Sequence, residues 1–385
     1  MNSSPIRLYY IDWLRVLAMF GVFFFHADRF FDFYDWHVKN SDTNLLSSLH
    51  IAFFSIWLMP LFFVLSGASI FYSMKKATTK SFITSRVKRL LIPLILVGYF
   101  VISPPQMYFE RYTHGKFNGN FIDFIPHYFD GVDMFGGNFP WHSFHLWYVL
   151  YLFIFSLLLF PLFKPLGANK TSILQRASRW LETPWGIMTL VVPLLLIEIF
   201  TDLNGLGFMR GTGGWGLLTY LVVVCMGYML FCNPKVIETI KKIRTISLIT
   251  AILLSVAGLT VIYGFDPKLS EETPILYLTL TLVRCLAMLY WLVAIVGFGE
   301  KFLNFKNRFL VYSNEAVLPF YILHQTILLI IGFFIVQWDL PSLAKYLLIS
   351  ATSFLTIMLI YHYLIRPLGL LRVLFGLRPW TRHSG

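Results

Sequence analysis

Residues 11–26 read Ile-Asp-Trp-Leu-Arg-Val-Leu-Ala-Met-Phe-Gly-Val-Phe-Phe-Phe-His, an apolar run that carries three ionisable side chains, Asp12, Arg15 and His26. At 3.6 residues per turn, the interval from Arg15 to His26 closes on nearly the same helix face, with the two residues ~16 Å apart along the axis. Asp12, three positions before Arg15, joins that stripe. Ionisable groups in hydrocarbon are costly and mark functional sites by default, so an aligned trio on one span describes a polar track.

The rest of the chain supports the membrane setting. It is 57% hydrophobic and 13% charged, with a mean hydropathy of +0.68, whereas soluble domains carry roughly 25% charged residues. Apolar runs of ~20 residues, enough to cross the hydrocarbon core, fall at 8–27, 49–73, 88–105, 144–163, 185–201, 215–232, 246–264, 275–298, 309–333 and 342–365. They predict an all-α integral membrane protein, a bundle of about ten transmembrane helices forming a single domain over residues 1–385. The first run contains Asp12 and Arg15 and lacks a small-residue cleavage site, so it reads as a retained span and not a signal peptide.

Most of the 31 basic residues fall in alternate connecting segments, among them 75–89, 164–179, 235–244, 301–308 and 366–382. By the positive-inside rule these segments and both termini are expected in the cytoplasm. The net charge of +12 is then mainly a topology signal, and the expected surroundings are membrane lipids, with no nucleic-acid partner. Cys225, Cys232 and Cys285 all fall in predicted helices and suggest neither a disulfide framework nor a metal site. There is no glycine-rich phosphate loop and no internal repeat.

Two connecting segments hold more than connectors need. The loop from about 104 to 143 interleaves Asp123, Asp130 and Asp133 with Tyr108, Tyr112, Phe121, Tyr128, Phe135 and Trp141. Aromatic faces beside carboxylates suit sugar rings, and the same composition suits an interfacial aromatic belt. The segment from Lys75 to Arg89 is the densest basic cluster. Arg86 and Arg89, three apart, share a helical face from which they can grip phosphates, or they anchor topology.

Further polar groups lie at membrane depth. Ser66-Gly67 follows Phe62-Phe63-Val64-Leu65 on the second helix, where glycine permits close helix approach. His145 opens the fourth helix in Phe144-His145-Leu146-Trp147-Tyr148. Arg284 falls near the middle of the eighth helix, where a carboxylate or an anionic ligand is expected beside it. Ser313-Asn314-Glu315, Pro319, Tyr321 and His324 climb the ninth helix, with Pro319 freeing a backbone carbonyl inside the bundle. His26, His145 and His324 all fall in the middle or outer part of the bundle, which points to a shared site. These residues suit an enzyme, or alternatively a multi-pass transporter or exporter of an anionic or carbohydrate substrate. The lack of matched halves favours the enzyme.

In order along the chain, several elements resemble the acyltransferase-3 family of integral membrane acyltransferases. They are Asp12-x-x-Arg15 with ten residues to His26, Phe62-Phe63-x-x-Ser66-Gly67, Arg86-x-x-Arg89 with Ile92-Pro93, His145-Leu146-Trp147-Tyr148, and Ser313 through Tyr321-x-x-His324. Trp36-His37-Val38, Pro105-Gln106 and Tyr112-x-x-Gly115-Lys116 look like the branch containing the periplasmic-glucan succinyl-transfer protein. Where members often read Asp-Gly-Leu-Arg-Gly, this chain has Trp13 and Val16 in place of the glycines. The resemblance implies an O-acyltransferase of the cell membrane. It would move an acetyl or succinyl group from cytoplasmic acyl-CoA, a co-substrate and not a bound cofactor, to a hydroxyl of an extracytoplasmic carbohydrate. Under that reading His26 and Arg15 are catalytic, and Arg86, Arg89 and Arg284 bind the donor. Asp12, Ser66, His145, Tyr321 and His324 support the site or bind the acceptor, and no metal takes part.

Overall fold

The computed structural model describes residues 8–75, 77–168, 173–203, 213–264 and 273–379. They form α1 (Tyr9–Asp28), α2 (Leu45–Met74), α3 (Thr79–Thr113), α4 (Phe144–Lys164), α5 (Pro184–Thr201), α6 (Leu217–Cys232), α7 (Pro234–Gly264), α8 (Pro274–Phe302), α9 (Arg308–Ile335) and α10 (Ser342–Ile365). Each expected apolar run therefore corresponds to one helix, and the fold is all-α. The count of full-length spans is corrected to nine among the described residues, because α6 has only 16 residues, short of the ~20 that cross the hydrocarbon core.

Several helices outrun their apolar segments. α7 begins at Pro234 and not near 246. Proline suits a first helical position, and the Lys- and Glu-containing stretch that follows has good helix propensity. α3 extends at both ends, to Thr79 and Thr113. Its winding widens to π geometry over Val87–Leu91 and Pro93–Ile102, then returns to α at Ser103. Pro104 and Pro105 thus sit in the first turn of renewed α-helix; having no N–H, they leave carbonyls of the preceding turn to other donors, and that of Tyr99 accepts from the Tyr128 hydroxyl at 2.9 Å. The loop expected from about 104 accordingly begins only after Thr113.

The chain forms two compact units. The first comprises Met1–Ala18, Ala52–Thr78 and Phe155–Asn314. Within it α2 and α6 approach at paired glycines: a Cβ on Gly67 would strike the Val224 carbonyl and the Tyr228 amide, and one on Gly227 would strike the Val64 backbone. α7 packs along α8, with Trp291 Nε1 donating to Ser255 Oγ at 2.9 Å and the Trp291 ring lying against Phe53 and Trp57.

The second unit comprises Met19–Ile51, Thr79–Ile154 and Glu315–Gly385. Its core includes the fully buried Phe23, whose ring lies edge-on to Phe320 and Phe354 at 5.5 and 6.0 Å. Phe30 fills the space that a side chain at Gly332 would need. Buried Lys345 donates to Asn40 Oδ1 at 2.9 Å and to the Val336 carbonyl at 2.8 Å, so its ammonium is met by oxygen acceptors.

The Gly67–Gly227 crossing leaves no flexible atom to yield. Gly227→Leu is therefore expected to destabilise the fold by at least the ~1–3 kcal/mol of ordinary overpacking, read as a lowered melting temperature and a lost monodisperse peak in detergent. Gly258→Ala, whose new methyl would meet only the Val283 side chain at 3.6 Å, should not lower stability and is expected to raise it by up to ~1 kcal/mol through helix propensity.

Candidate active site

Three helices of the second unit bring three imidazoles together. α1 supplies His26, the first turn of α4 supplies His145, and α9 supplies His324 one turn after Tyr321. The His324 ring centroid lies 4.9 Å from that of His26 and 4.8 Å from that of His145. His145 and His324 are buried, whereas His26 is half-buried. α4 is entered through Ser143 and Phe144 at φ 54° and 48°, left-handed geometry that costs roughly 1–2 kcal/mol for each L-residue. The Ser143 hydroxyl is held by Ser103 Oγ at 2.8 Å.

Backbone carbonyls decide which nitrogen of each ring carries the proton, because a carbonyl only accepts. His324 Nδ1 lies 2.7 Å from the Tyr321 carbonyl and must donate to it, leaving Nε2 as an acceptor. His26 Nδ1 lies 2.9 Å from the Val22 carbonyl and 3.2 Å from His324 Nε2, so one N–H is shared between them. His145 Nε2 faces the carbonyls of Tyr321 and Ile322 at 3.0 and 3.2 Å, and its Nδ1 accepts from the Gln106 amide at 3.3 Å. Every ring nitrogen of His145 and His324 is thereby used. His26 Nε2 keeps its lone pair, and among the described residues no group hydrogen-bonds to it.

Around this trio runs a scaffold in which only Tyr321 had been given a role from the sequence. Gln106 also donates to Thr326 Oγ1 at 2.8 Å. Gln325 Nε2 donates to Gln106 Oε1 at 2.9 Å and lies 3.3 Å from His37 Nε2, while His37 Nδ1 lies 2.6 Å from the Glu110 carboxylate. Tyr321 donates its hydroxyl to the His145 carbonyl. His37 and Gln106 were visible only as parts of a branch resemblance. The available signal was Gln325, an amide inside an apolar run where polar side chains are expensive; Gln106 fell just past the end of its run and gave none.

The remaining expected residues lie elsewhere. In the first unit, Arg15 donates to Asp12 Oδ1 at 3.0 Å, to Ser69 Oγ and to the Leu65 carbonyl at 3.5 Å. Ser66 Oγ donates to the Phe62 carbonyl at 2.8 Å, next to the Gly67 crossing. Arg284 lies over the Trp215 ring, 4.0 Å from its centroid, and donates to the Gly214 carbonyl. In the second unit, Arg86 ends the α-helical opening of α3 with its guanidinium over Phe82 at 4.8 Å, and Arg89 follows in the π-wound stretch. The shared face expected for the two arginines thus falls at a change of winding. Among the described residues no three His, Cys, Asp or Glu side chains converge as metal ligands.

The acyltransferase domain model matches the chain over residues 8–362. Similar curated proteins include Glucans biosynthesis protein C from Escherichia coli strains O81 (ED1a), SMS-3-5 and K12. Each is 23% identical over 348 residues, covering 87% of this chain and 86% of the relative. No solved structure matches the chain.

At the end of α3, His114 links the scaffold to the surface. Its Nδ1 donates to the Glu110 carbonyl at 2.7 Å and its Nε2 lies 3.0 Å from Asp35 Oδ1. The hydrogen bond to Asp35 raises the imidazole above its ordinary 6.5, and the same bond lowers Asp35 below its ordinary 3.8. The histidine's contribution to stability is complete below 6.5 and disappears as pH rises through the raised value. That of Asp35 is present above 3.8 and disappears as pH falls through the lowered one. The melting-temperature gap between the native chain and His114→Gln should therefore narrow as pH is raised from about 6 to about 8.5. A gap that widened over this range would contradict the pairing.

Proposed function

The chain belongs to the acyltransferase domain family, whose model covers it from residue 8 to residue 362, and from that premise we propose that it transfers an acyl group, acetyl or succinyl, from acyl-CoA to a carbohydrate hydroxyl across the cell membrane. The donor is used from the cytoplasmic side and the acceptor is extracytoplasmic. The similarity to proteins named for glucan biosynthesis supports a glucan as that acceptor.

The observation that carries this reading is the single available lone pair at His26 Nε2. An alcohol is a poor nucleophile at neutral pH, and a positioned imidazole base contributes about 10²–10⁴-fold. In the proposed step Nε2 takes the hydroxyl proton as the acceptor oxygen bonds to the thioester carbonyl carbon. The tetrahedral oxyanion then collapses, breaking the C–S bond, and the imidazolium returns the proton to the departing thiolate. Throughout the step its Nδ1–H points at the Val22 carbonyl and His324 Nε2, which fixes the tautomer that leaves Nε2 as the acceptor. His324 and His145 act as positioning residues. Tyr321 supplies a carbonyl to both of them and its hydroxyl to the chain at His145.

The arginines take the anionic parts. Arg86 and Arg89 suit the phosphates of CoA, since a guanidinium grips phosphate oxygens in pairs. Arg15, pinned by Asp12 and ~16 Å along the helix from His26, is proposed to handle an anionic part of the donor away from the reacting carbon, and Arg284 to assist donor binding from its seat on Trp215.

His26→Ala is expected to lower acyl transfer by about 10²–10⁴-fold with normal amounts of folded protein in the membrane. Full activity in that variant would remove His26 from the mechanism. Arg86→Ala with Arg89→Ala should raise the apparent KM for acyl-CoA far more than it lowers kcat; an unchanged KM would leave the pair as a topology signal. Mass spectrometry of envelope glycans from cells with and without the protein should show an acyl ester that depends on it, and no difference would defeat the reading.

A further inference from the structure

Between α3 and α4, the short helix Phe121–Phe124 runs into a 3-10 turn, Ile125–Phe129. Its residues divide among three faces. Phe124 and Tyr128 are buried against Met107 in a local core that Tyr108, Phe117, Phe139 and Phe144 join. Asp123, His127 and Asp130 form a polar edge: Asp123 closes a capping box with Asn120, and His127 Nδ1 lies 2.8 Å from Asp130 Oδ2. The third face is Ile122, Ile125 and Phe129, at i, i+3 and i+7, and these are 79%, 44% and 58% exposed. The next turn leaves Phe135 85% exposed. A segment buried on one apolar face and carrying a second apolar face opposite polar groups has the pattern of an element lying in a membrane interface.

Its position along α3 bears on what covers that face. The segment does not stand out beyond the end of α3 but folds back along it. Tyr128 donates its hydroxyl to the Tyr99 carbonyl at 2.9 Å, and the Phe129 ring lies 6.3 Å from that of Phe100. Phe100 precedes the helix end at Thr113 by ~20 Å of axis at 1.5 Å per residue. Phe100 and its neighbours Leu96 and Val101 are themselves exposed on a membrane-spanning helix, so their outward surface meets lipid. The stripe is therefore continuous with the exposed apolar face of a helix long and apolar enough to cross a membrane.

We propose that residues 121–135 form a membrane-seated keel, with Ile122, Ile125 and Phe129 inserted among the lipids at the bilayer interface and Asp123, His127 and Asp130 held toward water. The inference does not rest on acyl transfer. Its alternatives are a face exposed to water, as a carbohydrate platform would be, or one covered by another protein.

The test uses the full chain in vesicles of phosphatidylethanolamine and phosphatidylglycerol, with Cys225, Cys232 and Cys285 replaced by alanine. A nitroxide is attached after Ile122→Cys, Ile125→Cys, Phe129→Cys or Phe135→Cys, and separately after His127→Cys or Asp130→Cys. Collisions with lipid-soluble oxygen should exceed those with a water-soluble nickel chelate at 122, 125, 129 and 135, and the ratio should reverse at 127 and 130. Nickel accessibility at 122 and 129 equal to that at 130 would overturn the proposal in favour of a water-facing platform. Protection of the stripe from both agents would overturn it in favour of a protein partner. Neither readout depends on catalysis.

Discussion

Inside a lipid-embedded bundle, a polar atom must find its partner within the protein, and this constraint differentiates three chemically identical histidines. A neutral imidazole has one N–H and one lone pair. Backbone carbonyls of Val22, Tyr321 and Ile322 claim the N–H of His26, His324 and His145. The lone pairs that remain are filled on His145 by the Gln106 amide and on His324 by the His26 N–H. Only at His26 does the accounting end with an acceptor that has no protein donor among the described residues. The chemistry assigned to that residue follows from what its neighbours face, and swapping one carbonyl for a donor would reassign it.

The helices were legible because each needs an apolar run to meet lipid, but their ends were not. Helix propensity continues past the hydrocarbon, as in the charged opening of α7, and the helix expected to end near 105 runs on through Pro104 and Pro105, which a change of winding places in a first turn. The histidines were legible as expensive residues at membrane depth. The tautomer of His145 was not, since its deciding carbonyls, of Tyr321 and Ile322, lie 176 and 177 positions away in sequence, whereas those for His324 and His26 lie within one turn. Gln106 and Gln325 escaped for a related reason. An isolated amide in or beside an apolar run has no spacing signature, and its worth appears only when both amides and Thr326 meet.

Arg15 shows the same division between near and far. Its pairing with Asp12, three residues away, was readable from helix periodicity, and it removes much of the penalty of a guanidinium at depth. The contact with Ser69 was not, because it depends on how α2 packs within the first unit. Arg284 is more instructive. A carboxylate or anion was expected beside it, and the structure seats it on the indole face of Trp215, whose quadrupole attracts a cation without adding a charge. The same guanidinium also donates to the Gly214 carbonyl, so its place is set by a ring face and a backbone oxygen together.

The loop after α3 explains why composition alone left a sugar platform and an interfacial belt equally open. The two readings differ in whether the acids are available, and here Asp123 caps its own helix, Asp130 meets His127 and Asp133 meets Arg111 at 3.0 Å. Local demands have absorbed the carboxylates, which leaves the aromatic and aliphatic residues to define the surface. The chain then leaves this loop through Ser143 and Phe144 in left-handed geometry. Gly98 makes room for it, since a Cβ there would press on Leu146 and on the Ser143 hydroxyl. Roughly 1–2 kcal/mol of strain per residue persists only where surrounding contacts over-determine the backbone. The turn is where the loop ends and α4 begins, and His145 is the next residue. A relaxed turn would rotate the first turn of α4 and move His145 away from the carbonyls that set its proton. The strain is therefore best understood as the means by which the loop's attachment to α3 is converted into the orientation of the histidine cluster.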